Sequence, residues 1–453
     1  MSNSELIRRV WSLSWPAVIW SALEASLGLA DLVMVRSLGA EATAAVGISR
    51  QVTFLVDSVV LAIASGIIAV VSQAVGSKRW ETVNQVARQS SLLLISIAFP
   101  MGIVGAFATT AILHELNADS LTIGHAAPYL QIYFLGIVFS WANVLGAAFF
   151  RSMGDALIPL KLAAIVACLN LPLNYLLIHG LGPFEAMGVQ GAALGTVLAK
   201  LCGTVIYFVL LRRRMATHAI TPLTTRSKGF DKRLIGRILR IGTPMALAGL
   251  VRNGARLVFL AMVGASSLGM TFHAAIGVGL QVRLLSVLPA LGFQVATATL
   301  VGQAIGRNAY DEAQRLGRRS LELLAIVMLV IVVAIIIFAE PLAQLLVADA
   351  SAAACTATVL RWFAVAQFFS SLNITVQGAL LGAGDTLPNL RYTFITQWIV
   401  MLPLAYVTSR LDAWQLHGPL AAWLCAPILL LLLLSRRFRS DKWGKLVSRG
   451  LDS

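Results

Sequence analysis

The sequence predicts an all-α polytopic membrane protein, with twelve transmembrane helices in two six-helix lobes related by pseudo-twofold symmetry. The first observation is composition: 58% of the 453 residues are hydrophobic and 12% are charged, whereas a soluble protein carries about 25% charged residues. The mean hydropathy of +0.82 agrees with this. The second observation is the number of long apolar stretches, and the third is a repeat between the two halves of the chain. An ordinary soluble fold is therefore excluded.

Apolar stretches bounded by charges or by Gly and Pro clusters define the predicted spans, because about 20 apolar residues cross a bilayer as a helix. The first six spans lie near 13–36, 47–72, 91–113, 128–150, 158–180 and 188–211. The second six lie near 241–263, 272–300, 321–339, 355–381, 390–409 and 418–435. The first span carries Glu24 and Asp31 and is long enough to cross, so we interpret it as a retained helix rather than a cleaved signal peptide.

The basic residues predict the orientation, because Lys and Arg accumulate in cytoplasmic loops. With the N-terminus inside, most of the 35 Lys and Arg residues fall in cytoplasmic segments, and the opposite loops near 114–127, 180–187, 264–271 and 340–354 contain none. We therefore expect a multi-pass protein of the plasma (inner) membrane with both termini cytoplasmic. The net charge of +15 then reflects topology rather than nucleic-acid binding. The alternative is a polybasic patch, best placed at Arg212–Arg214, that binds anionic lipid or nucleic acid.

The two halves of the chain repeat one another at an offset of 230 positions. Residues 44–52, AAVGISRQV, match 274–282, AAIGVGLQV, and Gly154-Asp155 matches Gly384-Asp385. We interpret each Gly-Asp step as structural, with Gly ending one helix and Asp capping the next. An even number of spans per half gives both copies the same orientation, which is typical of two-lobed transporters that open a central site alternately to each side. The predicted domains are an N-terminal lobe at 1–211, a basic cytoplasmic linker at 212–240, a C-terminal lobe at 241–435 and a basic tail at 436–453.

Short motifs in this order resemble the multidrug and toxic compound extrusion (MATE) family over essentially the whole chain. They are the run Leu29–Val35 followed by Leu38-Gly39, the Gln-Ala-x-Gly turns at 73–76 and 303–306, the two Gly-Asp steps, and MGVQGAALGT at 187–196. The resemblance implies twelve helices in two lobes. It also implies export of organic solutes driven by inward flow of protons or sodium ions.

The resemblance also implies a branch of the family. Sodium-using NorM-like members carry acids in the seventh and tenth spans, and this chain has no Asp or Glu between Asp231 and Asp311 or between Asp349 and Asp385. The DinF-like branch instead couples to protons through a network in the N-terminal lobe, and the matching residues are Asp31, Asn170, Asn174 and Thr196. That branch often carries Asp where this chain has Asn174, which weakens the case for a network with two carboxylates.

Three acids lie within predicted spans of the first half: Glu24, Asp31 and Asp57. A carboxylate in a span costs about 2.5–3.5 kcal/mol on insertion, so it normally faces a cavity, a partner or a proton path. We expect Asp31 and Glu24 to take part in proton coupling, and Asp57 to line the substrate cavity. The alternatives are a structural hydrogen bond or a counter-ion to a cationic substrate, and for Asp57 also a pair with Arg50. Asn170 and Asn174 share one helix face, and their alternative is a role in interhelical packing.

Three cations lie within the seventh and eighth predicted spans. Arg252 and Arg256 share a face of the seventh span, Arg283 lies in the eighth, and neither span contains an acid. Two interpretations stay open: they pair with Glu24, Asp31 or Asp57, or they line the cavity and bind an anionic group of the substrate. If they line the cavity, it favours amphiphilic, zwitterionic or anionic solutes over simple lipophilic cations.

The sequence therefore predicts a proton-coupled antiporter for small organic compounds or drugs, a monomer that works without a cofactor and is powered by the H⁺ gradient, with Na⁺ coupling left open. The alternative is a flippase for lipid-linked intermediates or polysaccharides of the same superfamily. A remote alternative is an integral-membrane enzyme, but the six histidines show no HExxH or comparable metal-site spacing. We expect no enzymatic activity, no metal site and no nucleic-acid partner. Substrate identity is beyond the sequence.

Overall fold

The computed structural model describes residues 3–180, 185–216, 229–264, 269–347, 349–411 and 416–440. Within these ranges the regular secondary structure is helical. The helices are α1 (Asn3–Arg36), α2 (Ala40–Gly76), α3 (Trp80–Glu115), α4 (Ser120–Leu135), α5 (Ile137–Ser152), α6 (Leu157–His179), α7 (Val189–Ala216), α8 (Lys232–Gly264), α9 (Gly269–Ser286), α10 (Leu288–Gly306), α11 (Tyr310–Ile337), α12 (Ala339–Leu346), α13 (Ala350–Ala383), α14 (Leu387–Phe394), a π-helical segment (Ile395–Met401), α15 (Leu402–Ser409) and α16 (His417–Arg439).

Ten helices in the described ranges are long and apolar enough to cross a membrane, and the pair α4 and α5, bent by 54°, provides an eleventh crossing if it is one span. The bend falls at Gly136, where an added Cβ would overlap the side chain of Val197. The predicted span at 390–409 corresponds to α14, the π-helical segment and α15. The predicted span at 272–300 corresponds to α9 and α10, which are separated at Val287.

The chain forms two compact units. The N-terminal unit comprises Ile19–Gly242, and the C-terminal unit combines Met1–Val18 with Thr243–Ser453. These units differ from the predicted lobes, which begin at residue 1 and at residue 241 and are joined by a linker at 212–240. The start of α8, inside that predicted linker, belongs to the N-terminal unit.

Small residues explain why the first turns of α8 pack in the N-terminal unit. A Cβ at Gly66 of α2 would overlap the backbone of Ile238, and a Cβ at Gly242 would overlap the carbonyl of Ala62. Glycine therefore lets the backbones of α2 and α8 approach closely, as small residues do between membrane helices.

The first turns of α1 pack in the C-terminal unit. Leu6 and Val10 are buried in the same apolar cluster as Phe293 of α10 and Leu316 of α11. A Cβ at Gly292 would overlap Val18. These contacts join α1 to a partner more than 270 positions away in the sequence, and local sequence patterns do not encode such a distant pairing.

The repeat also appears in turn geometry. Lys78 and Asn308, 230 positions apart, both adopt positive φ, at 57° and 59°, and Gly154 and Gly384 do so at 88° and 77°. Asp155 accepts hydrogen bonds from the backbone of Leu157 and Ile158, as the capping interpretation predicts. Asp385 differs from its counterpart, because it forms an ion pair with Arg437 at 2.6 Å instead of capping α14.

Two further aspartates at the repeat offset lie before the first turn of a helix and cap it. Asp119 accepts a hydrogen bond from the backbone N–H of Thr122 at 3.1 Å, and Asp349 accepts one from Ala352 at 2.7 Å. Hydrogen bonds to Thr122 lower the pKa of Asp119 below its ordinary value, and those to Ser351 and Ala352 lower that of Asp349. Each carboxylate occupies the N-terminal position that favours negative charge.

Candidate functional site

The structure brings Asp31, Asn170, Asn174 and Thr196 into one hydrogen-bonded group. Asn174 of α6 donates from Nδ2 to Oδ1 of Asp31 on α1 at 2.7 Å. One turn earlier on α6, Asn170 exchanges amide hydrogen bonds with Asn174 at 3.3 and 3.4 Å and donates to Oγ1 of Thr196 on α7 at 3.0 Å. The Thr196 hydroxyl donates to the carbonyl of Ala192 at 2.9 Å. We call these four residues the Asp31 network.

The local sequence explains how the Asp31 network assembles. Asn170 and Asn174 are four residues apart and therefore project from one face of α6, where both are buried. Gly195 of α7 lies against Asn174, and a Cβ there would overlap the Asn174 side-chain oxygen. These are the four residues that the resemblance to the MATE family implied, and the structure places them in hydrogen-bond contact. Their part in proton coupling stays a prediction.

Glu24 lies outside the hydrogen bonds of the Asp31 network and forms an ion pair with Lys200. The ammonium nitrogen of Lys200 on α7 lies 3.1 Å from both carboxylate oxygens. The pair lines a small cavity of the N-terminal unit together with Asn143 and Tyr207. Lys200 was not among the predicted site residues, although a lysine inside an apolar span, four residues after Thr196, is the signal that identifies it.

Asp57 is held by two aromatic donors. Oδ1 of Asp57 on α2 accepts a hydrogen bond from the Tyr133 hydroxyl at 2.7 Å and from the Trp141 indole N–H at 2.9 Å. Arg50 instead donates to the carbonyl of Gly28 at 2.9 Å, so the suggested pairing of Asp57 with Arg50 is not formed. The lining of the described cavities does not include Asp57, and its place in a substrate cavity stays a prediction.

Arg252, Arg256 and Arg283 line one cavity of about 180 Å³ inside the C-terminal unit. We call it the arginine cavity. Its wall also contains amides from α13 and from the π-helical segment, and the indole of Trp423 on α16: the amides are those of Asn373, Gln377 and Gln397. Arg283 donates from Nε to Oε1 of Gln367 at 3.0 Å. Gln367 in turn donates to Ser371 at 2.9 Å. This hydrogen bond fixes the orientation of the Gln367 amide, and the amide in turn orients the Arg283 guanidinium.

Within the residues that the structure describes, none of these three arginines forms an ion pair. The acids with which they were suggested to pair have partners in the N-terminal unit: Lys200 for Glu24, Asn174 for Asp31, and Tyr133 and Trp141 for Asp57. In the C-terminal unit, Glu340 pairs with Arg361 and Asp385 pairs with Arg437. The part of the chain described here also contains no cluster of His, Cys, Asp and Glu that could hold a metal ion.

Comparison with known proteins identifies relatives along the whole chain. The MatE family model matches residues 16–176 and 244–407, one segment in each half. A probable multidrug resistance protein NorM of Thermotoga maritima is 28% identical, with 97% of this chain and 94% of the relative covered. An FAD transporter of Shewanella oneidensis is 23% identical, with 89% of this chain and 88% of the relative covered.

Solved structures share the fold. The Vibrio cholerae MATE transporter VcmN in its bent form superposes with a TM-score of 0.89 at 16% identity and covers 99% of both chains. The predicted fold class, an all-α polytopic membrane protein with the twelve-helix MATE architecture, is confirmed by this match. The Shewanella oneidensis relative and the Vibrio cholerae structure are named as transporters rather than enzymes, in agreement with the prediction. The DinF-like branch stays a prediction. Since one family model matches both halves of the chain, this protein belongs to the multidrug and toxic compound extrusion (MatE) family.

Proposed function

We propose that the chain is a secondary active antiporter of the inner membrane that exports small organic compounds in exchange for protons, through alternating access of its two lobes. The observation that carries the proposal is the carboxylate of Asp31, which lies within a transmembrane helix and is hydrogen-bonded at 2.7 Å to Asn174. The naming of the Thermotoga maritima relative as a probable multidrug resistance protein supports export of organic compounds.

The chemistry of the Asp31 network suits a group that gains and loses a proton. A side-chain amide offers both N–H donors and a carbonyl acceptor. Asn174 can therefore donate to the ionised carboxylate, and after its amide turns over it can accept from the protonated acid. Asn170 and Thr196 continue the chain of adaptable donors and acceptors. Asp31 thus keeps a hydrogen-bond partner in both protonation states, which lowers the cost of either state inside the bilayer.

Glu24 contributes to coupling through Lys200 in this proposal. Lys200 acts electrostatically on the carboxylate of Asp31, and its own charge is balanced by Glu24 at 3.1 Å. A change in the Glu24–Lys200 contact during transport therefore changes the positive potential at Asp31, and with it the affinity of Asp31 for a proton.

The test is transport of fluorescent organic compounds into or out of proteoliposomes under separately imposed pH and sodium gradients. We expect the wild type to respond to the pH gradient and Asp31→Asn to lose that response, because an amide cannot exchange a proton. Asp311→Asn is the matched control, since Asp311 is an exposed acid at the start of α11. Proton-driven transport that survives in Asp31→Asn, or transport driven by sodium alone, contradicts the proposal.

A further inference from the structure

We infer that the arginine cavity binds the anionic group, a phosphate or carboxylate, of an organic solute that carries an aromatic or apolar body. The inference rests on the proposed function and deepens it by naming a substrate class. It places the recognition of the acidic group in the C-terminal unit, apart from the Asp31 network.

The charges of the cavity are the first argument. Arg252 and Arg256 are one turn apart on α8 and line the same cavity as Arg283 of α9. Arg283 lies within electrostatic reach of both. A guanidinium inside a span normally has an acidic or carbonyl partner, because an unpaired charge there costs several kcal/mol. Since the described acids of this unit do not pair with these three arginines, an anion that enters the cavity relieves both the desolvation and the mutual repulsion.

The hydrogen-bonding groups are a second and independent argument. Gln377 is 2% exposed and lines the cavity, and its Nε2 has no hydrogen-bond partner within the described residues. A buried donor without a partner costs about 1–3 kcal/mol, so its position in the cavity wall indicates a ligand oxygen. Asn373, also in the wall, donates to the carbonyl of Pro427 at 2.8 Å. That bond leaves its side-chain oxygen free to accept from a hydroxyl or N–H of the same ligand.

The wall of the cavity supplies the apolar part of the recognition. Trp423 is stacked on Phe363 with ring centroids 5.3 Å apart, and the Arg283 guanidinium lies 5.8 Å from the Trp423 ring centroid. Aromatic rings and planar guanidinium groups stack on flat organic molecules. The guanidinium groups themselves recognise phosphate and carboxylate through paired N–H donors.

The test uses two fluorescent ligands that differ in one group: flavin mononucleotide, which carries a phosphate monoester, and riboflavin, which lacks it. Binding to the purified full chain in nanodiscs of zwitterionic lipid is followed by fluorescence anisotropy at pH 7. We expect flavin mononucleotide to bind about tenfold or more tightly than riboflavin, in line with charge-assisted hydrogen bonds. Equal affinity for the two ligands on the wild-type protein overturns the inference, whatever the variants do.

The variants identify the cavity. In Arg252→Gln/Arg256→Gln we expect affinity for flavin mononucleotide to fall about tenfold or more while riboflavin binding is unchanged. The matched control is Arg391→Gln/Arg436→Gln, which removes two exposed arginines of the same unit and should change affinity less than about twofold. Gln377→Met keeps the charges and should weaken only flavin mononucleotide. Loss of affinity in the control alone, or in none of the variants, contradicts the assignment.

Two competitors distinguish the sources of the anion. Inorganic phosphate should displace flavin mononucleotide better than sodium chloride of equal ionic strength, and failure to do so contradicts recognition of the phosphate group. Nanodiscs with phosphatidylglycerol should leave binding largely intact. If they abolish it, the cavity is a lipid headgroup site and the solute assignment is wrong.

Binding is measured without a gradient, so a protein that binds flavin mononucleotide but does not couple transport to protons contradicts the proposed function alone.

Discussion

Lys200 contacts both carboxylate oxygens of Glu24 at 3.1 Å, and this ion pair joins α7 to α1 inside the N-terminal unit. The side chain of Lys200 is 16% exposed and that of Glu24 is 33% exposed. The pair is therefore partly buried from solvent, and each charge is stabilised by the other in the apolar surroundings.

Breaking this pair from one side should destabilise the protein more than removing both charges. We expect Glu24→Gln and Lys200→Met each to lower the free energy of unfolding by up to about 3 kcal/mol, because each leaves one charge without its partner. The double variant should recover part of that loss. The measurement is thermal unfolding in a neutral detergent, analysed as a double-mutant cycle. Additive losses in the double variant would show that the two charges are not coupled.

The order of effects along the Asp31 network provides a second prediction. Asn174→Ala removes the donor at 2.7 Å from Asp31, whereas Asn170→Ala removes a donor that reaches Asp31 only through Asn174. We therefore expect the initial rate of proton-driven transport in proteoliposomes to fall more in Asn174→Ala than in Asn170→Ala. Asn174→Ala also leaves the Asp31 carboxylate without this donor, so the rates are compared for equal amounts of folded protein. The opposite ranking of rates at equal protein content contradicts the order of hydrogen bonds from Asp31 through Asn174 to Asn170.

The close approach of α7 to α6 provides a third prediction. Gly195→Ala places a methyl group where the Asn174 side-chain oxygen lies. We therefore expect overpacking to lower the free energy of unfolding by about 1–3 kcal/mol. We also expect slower proton-driven transport. Gly124→Ala is the matched control, because nothing lies within 4 Å of a Cβ at that helical position. The control should be neutral or slightly stabilising, since Ala favours the helix over Gly. Unfolding temperatures and transport rates of the two variants are compared, and equal behaviour would contradict the prediction.

The two capping aspartates provide a prediction on pH. Their hydrogen bonds lower the pKa of Asp119 and Asp349 below the ordinary value of 3.8. A lowered pKa in the folded state means that the ionised caps stabilise the fold above the ordinary pKa, and that this stabilisation is lost as the pH falls through the lowered one. The double variant Asp119→Ala/Asp349→Ala should therefore unfold at a lower temperature than the wild type at neutral pH.

As the pH falls through the lowered pKa of the folded state, the two proteins should approach one another, because the wild-type caps become protonated. Scanning calorimetry at several pH values measures the difference. Asp119→Asn/Asp349→Asn is the control, since Asn also caps helices but does not titrate. A gap between the wild type and the alanine variant that widens toward acidic pH contradicts the assignment.

Much of the fold and of the Asp31 network could be predicted from the sequence, because polar side chains are rare in apolar spans and therefore stand out. Asp31, Asn170 and Asn174 are of this kind, whereas Thr196 was included only through the resemblance to the MATE family, because threonine is frequent in the spans of this chain. Lys200 is equally rare but was missed, since the basic residues were interpreted mainly as markers of cytoplasmic loops.

Other features depend on contacts that sequence patterns do not contain. The burial of Leu6 and Val10 in the C-terminal unit results from packing against helices far along the chain. The bend between α4 and α5 occurs at Gly136, and glycine is common enough in membrane helices that one position gives no signal. The π-helical segment contains no proline or glycine to mark it.

The π-helical segment has a mechanical consequence for the arginine cavity. A π turn closes its hydrogen bonds over one residue more than an α turn, so the segment stores one extra residue within a continuous helix. If that residue were transferred along the helix, the side chains it passes would rotate by about 100°, the angle between successive residues. Gln397 and Met401 both lie in this segment and in the cavity wall. The polar lining of the arginine cavity therefore depends on the register of this helix, and such a transfer would turn Gln397 and Met401 without breaking the helix.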